Sequence, residues 1–495
     1  MLITTLVTLP FLCAIVLALF PWNRIIGWIG VASAASIVLI GIAVSVRAVH
    51  GVNSTGLNQF LRADALSSFM VIVIGTIALL STCLNIRYLE LEIASGKTSK
   101  KNASAYQSLI QAFLGCMLVA VLSANIGVMW IAIEATTIIT SLLIGHSRTQ
   151  KSLEASWKYV VICSVGIALA FLGTALVYLA GLHAGIQKGD PMDWTTLVLE
   201  AHRLNAGIMR LAFALLLLGY GTKVGLVPLH SWLPDAHSQA PAPVSALMSG
   251  VLLTVAFYSI LRFKVVTDAA LGATFARNLL VVMGLLSLII AASLLIGQHD
   301  YKRMLAYHSI EHMGLIALGA AAGTPLAIAA VLLHILGHGL AKSVLFLASG
   351  EVLATEGTSE INLVPHLLNR RPVLGGVFGF GLLALLGLPP FSLFISEFSM
   401  LRAEFQVGLG WAAAVSMLCM AIIFASVMSH GRHLLLGKNK NLITTGKSNE
   451  SKVHLPTKTL VSVPLISGLI GCTFIGISAW PLQELLSAAA KVISS

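Results

Sequence analysis

Residues 221–250 read GTKVGLVPLHSWLPDAHSQAPAPVSALMSG and directly follow the apolar run LAFALLLLGY. Lys223 therefore lies at the end of an apolar segment, and several prolines follow it closely. These prolines are Pro228, Pro234, Pro241 and Pro243. Because proline removes a backbone donor and interrupts helices, the stretch predicts a membrane helix that is broken beside a buried lysine.

The composition is that of a membrane protein with many spans. Of the 495 residues, 57% are hydrophobic and only 10% are charged, whereas soluble domains carry about 25% charged residues. A soluble fold could not cover this much apolar surface. The first residues, MLITTLVTLPFLCAIVLALF, lack the basic region and the small-residue cleavage site of a signal peptide, so we expect them to form the first span.

The net charge of +11 does not indicate nucleic-acid binding. The basic residues are scattered between apolar spans, and their bias toward one set of loops follows the positive-inside rule. That bias places the first connecting loop in the cytoplasm and both termini outside. We therefore expect a multi-pass protein of a bacterial inner membrane.

Cysteine usage predicts no metal or disulfide framework. The six cysteines lie in apolar runs, and none forms a CxxC pair. We interpret them as small core residues, so this chain has no cysteine-ligated iron–sulfur site. The cysteines are Cys13, Cys83, Cys116, Cys163, Cys419 and Cys472.

A window of about 20 apolar residues predicts an all-α integral membrane fold with about 14 transmembrane helices. The predicted spans lie near residues 2–20, 26–46, 65–86, 106–123, 125–146, 157–182, 207–226, 242–262, 277–297, 303–322, 325–350, 373–402, 408–430 and 460–480. The polar stretch 437–458 is expected to be a flexible cytoplasmic loop. No long amphipathic helix is expected after the last span.

Two of the predicted spans contain helix breakers at comparable places. The seventh contains the Lys223 stretch, and the twelfth reads LLALLGLPPFSLFISEF with Gly387, Pro389 and Pro390 in its middle. Broken helices five spans apart indicate two five-helix repeats, and interrupted helices at matching positions point to a transport site. The predicted divisions are 1–105 (spans one to three), 106–262 (spans four to eight), 263–434 (spans nine to thirteen) and 435–495 (the loop and the last span).

Titratable residues recur inside the apolar spans, where a charge costs about 2.5–3.5 kcal/mol at the bilayer centre. They are Glu134, Lys223, Glu311, His312, His334, His338, Lys342 and Glu397. At 100° per residue, His334, His338 and Lys342 form one stripe of a helix. His308, Glu311 and His312 share another face. Groups that take and release protons along the bundle interior are typical of a proton relay.

Other interpretations of these residues remain open. A single intramembrane Glu or Lys could form a salt bridge between subunits. His334 and His338 could ligate haem or zinc, but no carboxylate or cysteine accompanies them on that helix face, so we predict no metal. At the cytoplasmic end, His230, Asp235, His237 and Lys302 could either take up protons or serve as interfacial caps and charges.

The sequence contains no Walker A, no GxGxxG before a helix, no GxSxG and no HExxH. We therefore predict no cofactor and identify no catalytic site in this chain, so whether it counts as an enzyme stays open. Its energy source is expected in partner chains or in an ion gradient.

The stretch GTKVGLVPLHSWLPDAH, followed by PAPVSALMSG, resembles the signature of the proton-conducting antiporter-like subunits. These are large membrane subunits of complex I, of Mrp antiporters and of membrane-bound hydrogenases. DYKRMLAYHSIEHMGLI (300–316) and VLLHILGHGLAKSVLFLASGEV (331–352) resemble the tenth and eleventh spans of the same family. The resemblance covers roughly residues 64–430.

The resemblance implies 14 spans, two inverted repeats and a lateral proton path. It assigns Glu134 to the glutamate of the fifth span and Lys223 to the lysine of the broken seventh span. His334, His338 and Lys342 match the central hydrophilic axis, and Glu397 takes the place of a lysine or glutamate in the twelfth span.

The sequence also departs from complex I members. The eighth span reads ALMSG, with Ser249 where a histidine is frequent, so the link from Lys223 to the central axis would run through water or Ser249. EATT, HSIEHMG and PPFSLFISEF resemble most closely component F of hydrogenase-4.

We therefore predict a proton-translocating membrane subunit of a multisubunit redox complex of the hydrogenase-4, formate hydrogenlyase or complex I type. Its expected partners are other membrane subunits, nickel–iron hydrogenase-like and iron–sulfur subunits, and lipid. The alternatives are an Mrp-like Na⁺/H⁺ antiporter subunit, a gradient-driven subunit of an inorganic carbon uptake complex, and a membrane anchor that conducts no ion.

Overall fold

The computed structural model describes residues 2–186, 190–437 and 458–494, with only the backbone path of residues 458–461 and 481. Most of the predicted cytoplasmic loop therefore lies outside the described residues. The described chain is nearly all helical, with one short hairpin of strands β1 (Ser54–Gly56) and β2 (Leu61–Ala63). Its α-helices are α1 Leu2–Leu19, α2 Arg24–Val49, α3 Ala65–Ala94, α4 Lys100–Leu122, α5 Ile126–Ile144, α6 Gln150–His183, α7 Trp194–Leu199, α8 Ala206–Val224, α9 Trp232–Gln239, α10 Ala242–Leu247, α11 Leu253–Leu271, α12 Ala273–Ile296, α13 Tyr301–Ala322, α14 Pro325–Glu356, α15 Leu367–Arg370, α16 Pro372–Leu385, α17 Ser392–Gln406, α18 Gly410–Leu436, α19 Lys458–Ile477 and α20 Trp480–Ser494.

Eleven helical segments of the described chain are long and apolar enough to cross a membrane, or twelve if the bent pair α19 and α20 forms one span. The chain is thus a multi-pass membrane protein. The predicted total of about 14 spans and the repeat boundaries remain predictions. Helix α13, which carries His308, Glu311 and His312, and the divided pair α16 and α17 are not among the eleven.

Polar residues before the apolar runs fix where several helices begin. The side chains of Asp64, Asn125 and Asp300 accept hydrogen bonds from the first backbone N–H groups of α3, α5 and α13. Thr324 caps α14, and Pro325 occupies its first position. Each cap satisfies donors that a helix leaves unpaired, so these spans begin at defined residues.

The predicted seventh span is divided at the lysine stretch. Helix α8 ends at Val224 because Gly225 adopts a left-handed conformation with φ +84°. The freed backbone groups are satisfied within the protein, since Leu226 N–H donates to Gly221 C=O at 2.8 Å. Trp232 Nε1–H donates to Thr222 C=O at 2.9 Å. The break is therefore a built feature that leaves Lys223 in the last turn of α8.

The predicted twelfth span is divided in the same way. Helices α16 and α17 flank a break at residues 386–391, in which Gly387 has φ +63°. The carboxylate of Glu397 lies directly against Gly387, where a β-carbon would collide with it. The break thus holds the Glu397 side chain at the start of α17. The Val227–Pro228 and Pro389–Pro390 peptide bonds of the two breaks are cis.

The eighth span packs closely on α14. A π-helical segment, Met248–Leu252, separates α10 from α11. A β-carbon at Gly250 would lie only 3.2 Å from the carbonyl oxygen of Gly339 and 2.9 Å from Ser343 Oγ. The absence of a side chain at Gly250 lets the backbone approach α14, which carries the predicted histidine stripe.

The described chain ends with a helix that is not among the predicted spans. No long amphipathic helix is expected after the last span, and the structure has the 15-residue helix α20 there, bent by 75° from the preceding helix. Its polar residues Gln483, Glu484 and Lys491 line a cavity of about 1070 Å³ together with Arg62 and Trp194. The sequence does not predict α20 as a span, because its polar residues interrupt the run of apolar residues that indicates one.

Candidate proton-relay site

The structure places most of the predicted relay residues inside the helix bundle. Lys223 is 1% exposed, Glu311 is 4% exposed and Glu397 is 8% exposed, while Glu134 is only half-buried. The remaining relay residues are fully buried: His312, His334, His338 and Lys342. The buried residues form two groups, one around Lys223 and one between α13, α14 and α17.

The first group surrounds the Lys223 ammonium. Its Nζ donates hydrogen bonds to Thr137 Oγ1 at 2.7 Å and to Tyr159 OH at 2.6 Å, and it lies 5.0 Å from the centre of the Tyr159 ring. The carbonyl end of α8 also favours a cation at this position. Lys223 is therefore held by neutral oxygens rather than by a carboxylate.

Glu134 lies one helical turn before Thr137 on α5. It forms no ion pair with Lys223 within 4 Å; the described ion pairs involve other residues. One of its carboxylate oxygens is buried without a hydrogen-bond partner. The structure thus represents a separated arrangement in which Thr137 stands between the acid and the base.

The second group contains a continuous chain of hydrogen bonds across three helices. His312 Nδ1 on α13 lies 2.9 Å from His334 Nε2 on α14. His334 Nδ1 lies 2.9 Å from Ser396 Oγ on α17, and Ser396 O–H can also reach Leu393 C=O at 2.9 Å.

The direction of the Ser396 hydroxyl sets the tautomers of both imidazoles. When Ser396 O–H donates to Leu393 C=O, His334 Nδ1–H donates to Ser396, and His312 Nδ1–H donates to His334 Nε2. When Ser396 O–H donates to His334 Nδ1 instead, both of these imidazole bonds reverse. This chain of three side chains can therefore exist in two directions, as a proton wire requires.

Two further histidines and an acid adjoin this wire. His308 Nδ1 lies 2.8 Å from a Glu311 carboxylate oxygen. The ring of His312 lies 4.7 Å from that of His308 and 4.9 Å from that of His338, centre to centre. Lys342 Nζ donates to the carbonyl oxygen of Leu305 on α13. The sequence did not single out Ser396 or Tyr159, because a lone Ser or Tyr in an apolar span carries no pattern.

The second group also has the composition of a metal site. The ligand atoms of His312, His334 and Glu397 lie within 4.8 Å of one another, and so do those of His308, Glu311 and His312. His334 and His338 have no carboxylate on their own helix face, but Glu397 on α17 brings one close to His334. The prediction that this chain binds no metal therefore stays a prediction.

The four residues predicted for proton uptake lie on or beside α9 and differ in exposure, and their role stays a prediction. Asp235 is partly buried and pairs with Lys158 at 3.1 Å and Arg303 at 3.0 Å. Lys302 is buried and donates to the carbonyl oxygens of residues 238 and 240 at the end of α9. His230 is half-buried in the break before α9, whereas His237 is fully buried.

Ser249 lies close to the second group. Its hydroxyl is 2.9 Å from that of Ser309 on α13, the residue next to His308. No described hydrogen bond joins Ser249 to Lys223 or to its partners. The link between the two groups is therefore not made by Ser249 alone.

The described chain is thus a multi-pass helical membrane protein with titratable side chains buried in its interior. The chain belongs to the NADH:quinone oxidoreductase/Mrp antiporter transmembrane family, whose model matches residues 123–424. The resemblance read from the sequence motifs is thus confirmed.

Known relatives cover most of this chain. The hydrogenase-4 component F homolog of Methylacidiphilum infernorum is 43% identical over 347 residues, which are 70% of this chain and 73% of that protein. A Na(+)/H(+) antiporter subunit of Bacillus subtilis is 27% identical over 475 residues, 94% of this chain and 92% of that protein.

Solved structures share the fold at low sequence identity. A chain of an archaeal membrane-bound sulfane sulfur reductase superposes with a TM-score of 0.86 at 22% identity, covering 100% of this chain and 98% of that one. A chain of the Mrp complex of Dietzia sp. DQ12-45-1b gives a TM-score of 0.83 at 19% identity, covering 100% of this chain and 98% of that one. These likenesses show the fold.

Proposed function

We propose that this chain translocates protons as a membrane subunit of a multisubunit redox complex of the hydrogenase-4, formate hydrogenlyase or complex I type. Protons would move between Glu134, Lys223 and the group formed by His312, His334, His338, Lys342 and Glu397. The observation that carries the proposal is the reversible chain of hydrogen bonds from His312 through His334 to Ser396 in the bundle interior.

The chemistry of this chain favours H⁺ over Na⁺. A neutral imidazole accepts a proton on one nitrogen and releases one from the other, so linked imidazoles pass protons without moving far. Hard cations such as Na⁺ prefer oxygen ligands, and the core of the wire consists of imidazole nitrogens. The relay is therefore built for protons.

The setting of the subunit is part of the same proposal. The similarity to the hydrogenase-4 component F homolog of Methylacidiphilum infernorum supports a hydrogenase-type complex. Its partners would then be further membrane subunits with nickel–iron hydrogenase-like and iron–sulfur subunits. We place the chain in a bacterial inner membrane with both termini outside.

Affinity purification of the chain in mild detergent, followed by mass spectrometry, tests the setting. We expect a nickel–iron hydrogenase-like large subunit and iron–sulfur proteins to co-purify. Recovery of small antiporter subunits alone, or of one soluble zinc protein, would contradict the redox setting.

Proton flux into liposomes that contain the purified complex tests the activity. An imposed potassium diffusion potential drives the flux, and a trapped pH-sensitive dye reports it. We expect Lys223→Ala and Glu134→Ala to abolish this flux without loss of assembly. Substitution of the exposed residue His299 serves as the control, and normal flux in the Lys223 variant would overturn the proposal.

A further inference from the structure

His237 is a fully buried imidazole, and no described hydrogen bond involves its ring. Its side chain is 0% exposed, and neither of its ring nitrogens has a hydrogen-bond partner. Only its backbone is anchored, because Ser245 Oγ–H donates to the His237 carbonyl oxygen at 2.9 Å. Since an unpaired buried polar group costs about 1–3 kcal/mol, such a side chain calls for a functional reason.

The ring stands between the two groups of the relay. On one side it lies 6.4 Å from the ring of Trp232, which in turn meets the edge of Tyr159 at 4.9 Å. Tyr159 is a direct partner of Lys223. His237 is therefore separated from the lysine group by one aromatic side chain.

On its other side His237 faces α14. Its ring stacks on Phe346 with a centre-to-centre distance of 5.1 Å and an angle of 26°. Phe346 lies one turn after Lys342 on the same helix. The Lys302 ammonium of α13 is also close by, because it donates to the carbonyl oxygen of Ser238, the residue after His237, at 2.9 Å.

We infer that His237 carries protons between the Lys223 group and the Lys342 group, rather than taking them up from the aqueous surface. This inference rests on the proposed function. A link through His237 also agrees with the eighth span, which has Ser249 at this level and no titratable residue there. The imidazole from α9 supplies the titratable group that the eighth span lacks.

The transfer is balanced by the chemistry of the ring. Neutral His237 carries one N–H and one lone pair. Its lone pair accepts a proton that Lys223 releases through water, and its other nitrogen gives up its proton through water to the Lys342 side. One proton enters, one leaves, and the ring ends as the other tautomer, which a ring flip or a reverse transfer resets. Trp232 and Phe346 hold the plane of the ring but carry no proton.

The liposome assay on the intact complex tests this inference with His237→Phe and His237→Gln. Phenylalanine keeps the aromatic contacts, glutamine keeps polarity, and neither can carry a proton. We expect both to lower the proton flux at least tenfold while the thermal midpoint and the assembly stay as in the unsubstituted complex. His299→Phe, at an exposed position, should leave the flux unchanged. Two correctly assembled His237 variants with normal flux would overturn the inference.

A second variant separates a link from an uptake site. Adding Ser249→His to His237→Phe places an imidazole on the eighth span beside the second group. We expect this pair to recover part of the flux, because a link can be made from either helix. A further test does not depend on the folding of this double variant. His237→Cys is treated with a membrane-impermeant maleimide in a chain whose native cysteines are replaced by alanine. A slow reaction of His237→Cys and a fast one of His230→Cys, made in the same chain, support the link, whereas a fast reaction of His237→Cys identifies an uptake site and overturns it.

The outcomes for the two proposals differ. Absence of flux in the unsubstituted complex would overturn both proposals. Flux that depends on Lys223 but not on His237 would overturn only the role of His237.

Discussion

At the scale of single residues, Ser396 decides whether the histidine wire can reverse. It is the only described hydrogen-bond partner of His334 other than His312, and its hydroxyl can face either His334 or Leu393. Ser396→Ala removes the hydroxyl at the end of this chain of hydrogen bonds, which in the proposed relay would accept or supply a proton. We expect a loss of proton flux of about 10²-fold, the size of a single general acid–base contribution.

Ser396→Thr is the matched variant, because it keeps the hydroxyl and adds only a methyl group. It should retain most of the flux measured in liposomes. Equal flux in the Ala and Thr variants would show that the wire does not pass through this hydroxyl.

Asp64 and Arg262 form a residue pair with a structural role. Arg262 Nη1 and Nη2 donate to the two Asp64 carboxylate oxygens at 2.6 and 2.7 Å, and both side chains are buried. Asp64→Asn leaves a buried guanidinium without its counter-ion, so we expect a loss of about 3–5 kcal/mol in the free energy of unfolding. The thermal midpoint in detergent measures this loss.

The matched control for Asp64 is Asp193→Asn. Asp193 pairs with Arg62 at 3.1 Å, but both side chains are more than one-fifth exposed, and asparagine keeps the cap on α7. A partly exposed pair contributes about 0–1 kcal/mol. Comparable losses in the two variants would contradict the buried role of the Asp64 pair.

The Asp64 pair also predicts an acid limit of stability. Burial alone would raise the pKa of Asp64, but the Arg262 guanidinium and the hydrogen bonds hold it below its ordinary value of 3.8. A carboxylate with a lowered pKa contributes its full stability above pH 3.8 and loses that contribution as the pH falls through the lower folded value. The thermal midpoint of the parent chain should therefore decrease as the pH is lowered through this acid range. The Asp64→Asn variant should lack the part of the decrease that protonation of Asp64 causes.

At the scale of elements, the break after α8 depends on the backbone of Gly225. Its φ of +84° is left-handed, and a β-carbon there would collide with Leu233 of α9. An L-residue in this conformation costs about 1–2 kcal/mol even without a collision. We expect Gly225→Ala to lower both the thermal midpoint and the proton flux, because Lys223 is two residues away.

Gly357→Ala provides the control for this break. Gly357 ends α14 with φ +75°, and a β-carbon there meets nothing within 4 Å. This variant should show only the cost of the left-handed backbone, with normal flux. Equal effects of the two substitutions on the thermal midpoint would contradict a special role for contact between Gly225 and α9.

The elements also show how far the sequence predicts this molecule. The two broken spans and the shared face of His334, His338 and Lys342 could be predicted, because helix breakers and helical spacing are local properties of the chain. The bond between His312 and His334, and the approach of Ser396 and Glu397 from α17, depend on which helices become neighbours. The burial of His237 is likewise set by tertiary contacts that no local pattern encodes.

At the scale of the whole molecule, Glu134 marks a surface where we expect a neighbouring subunit. It is half-buried on α5, and Ile131 and Ile138, about one turn before and after it, are each 59% exposed. A carboxylate at the lipid surface of a span is costly, whereas a protein neighbour can supply it with a polar partner or with water. The exposed face of α2 around Leu39 and Ile42 carries no charge, so lipid can cover it.

A photo-crosslinking amino acid at position 138 tests this difference in the intact membrane. Position 138 lies one turn from Glu134 on the same face of α5, and position 39, which is 68% exposed, serves as the control on α2. We expect the residue at 138 to capture another membrane subunit of the complex and the residue at 39 to give no protein adduct. Capture at 138 would identify the neighbouring subunit and would support the proposal that Glu134 exchanges protons at this surface. Capture at 39 without capture at 138 would mean that Glu134 faces lipid and that the relay begins at Lys223.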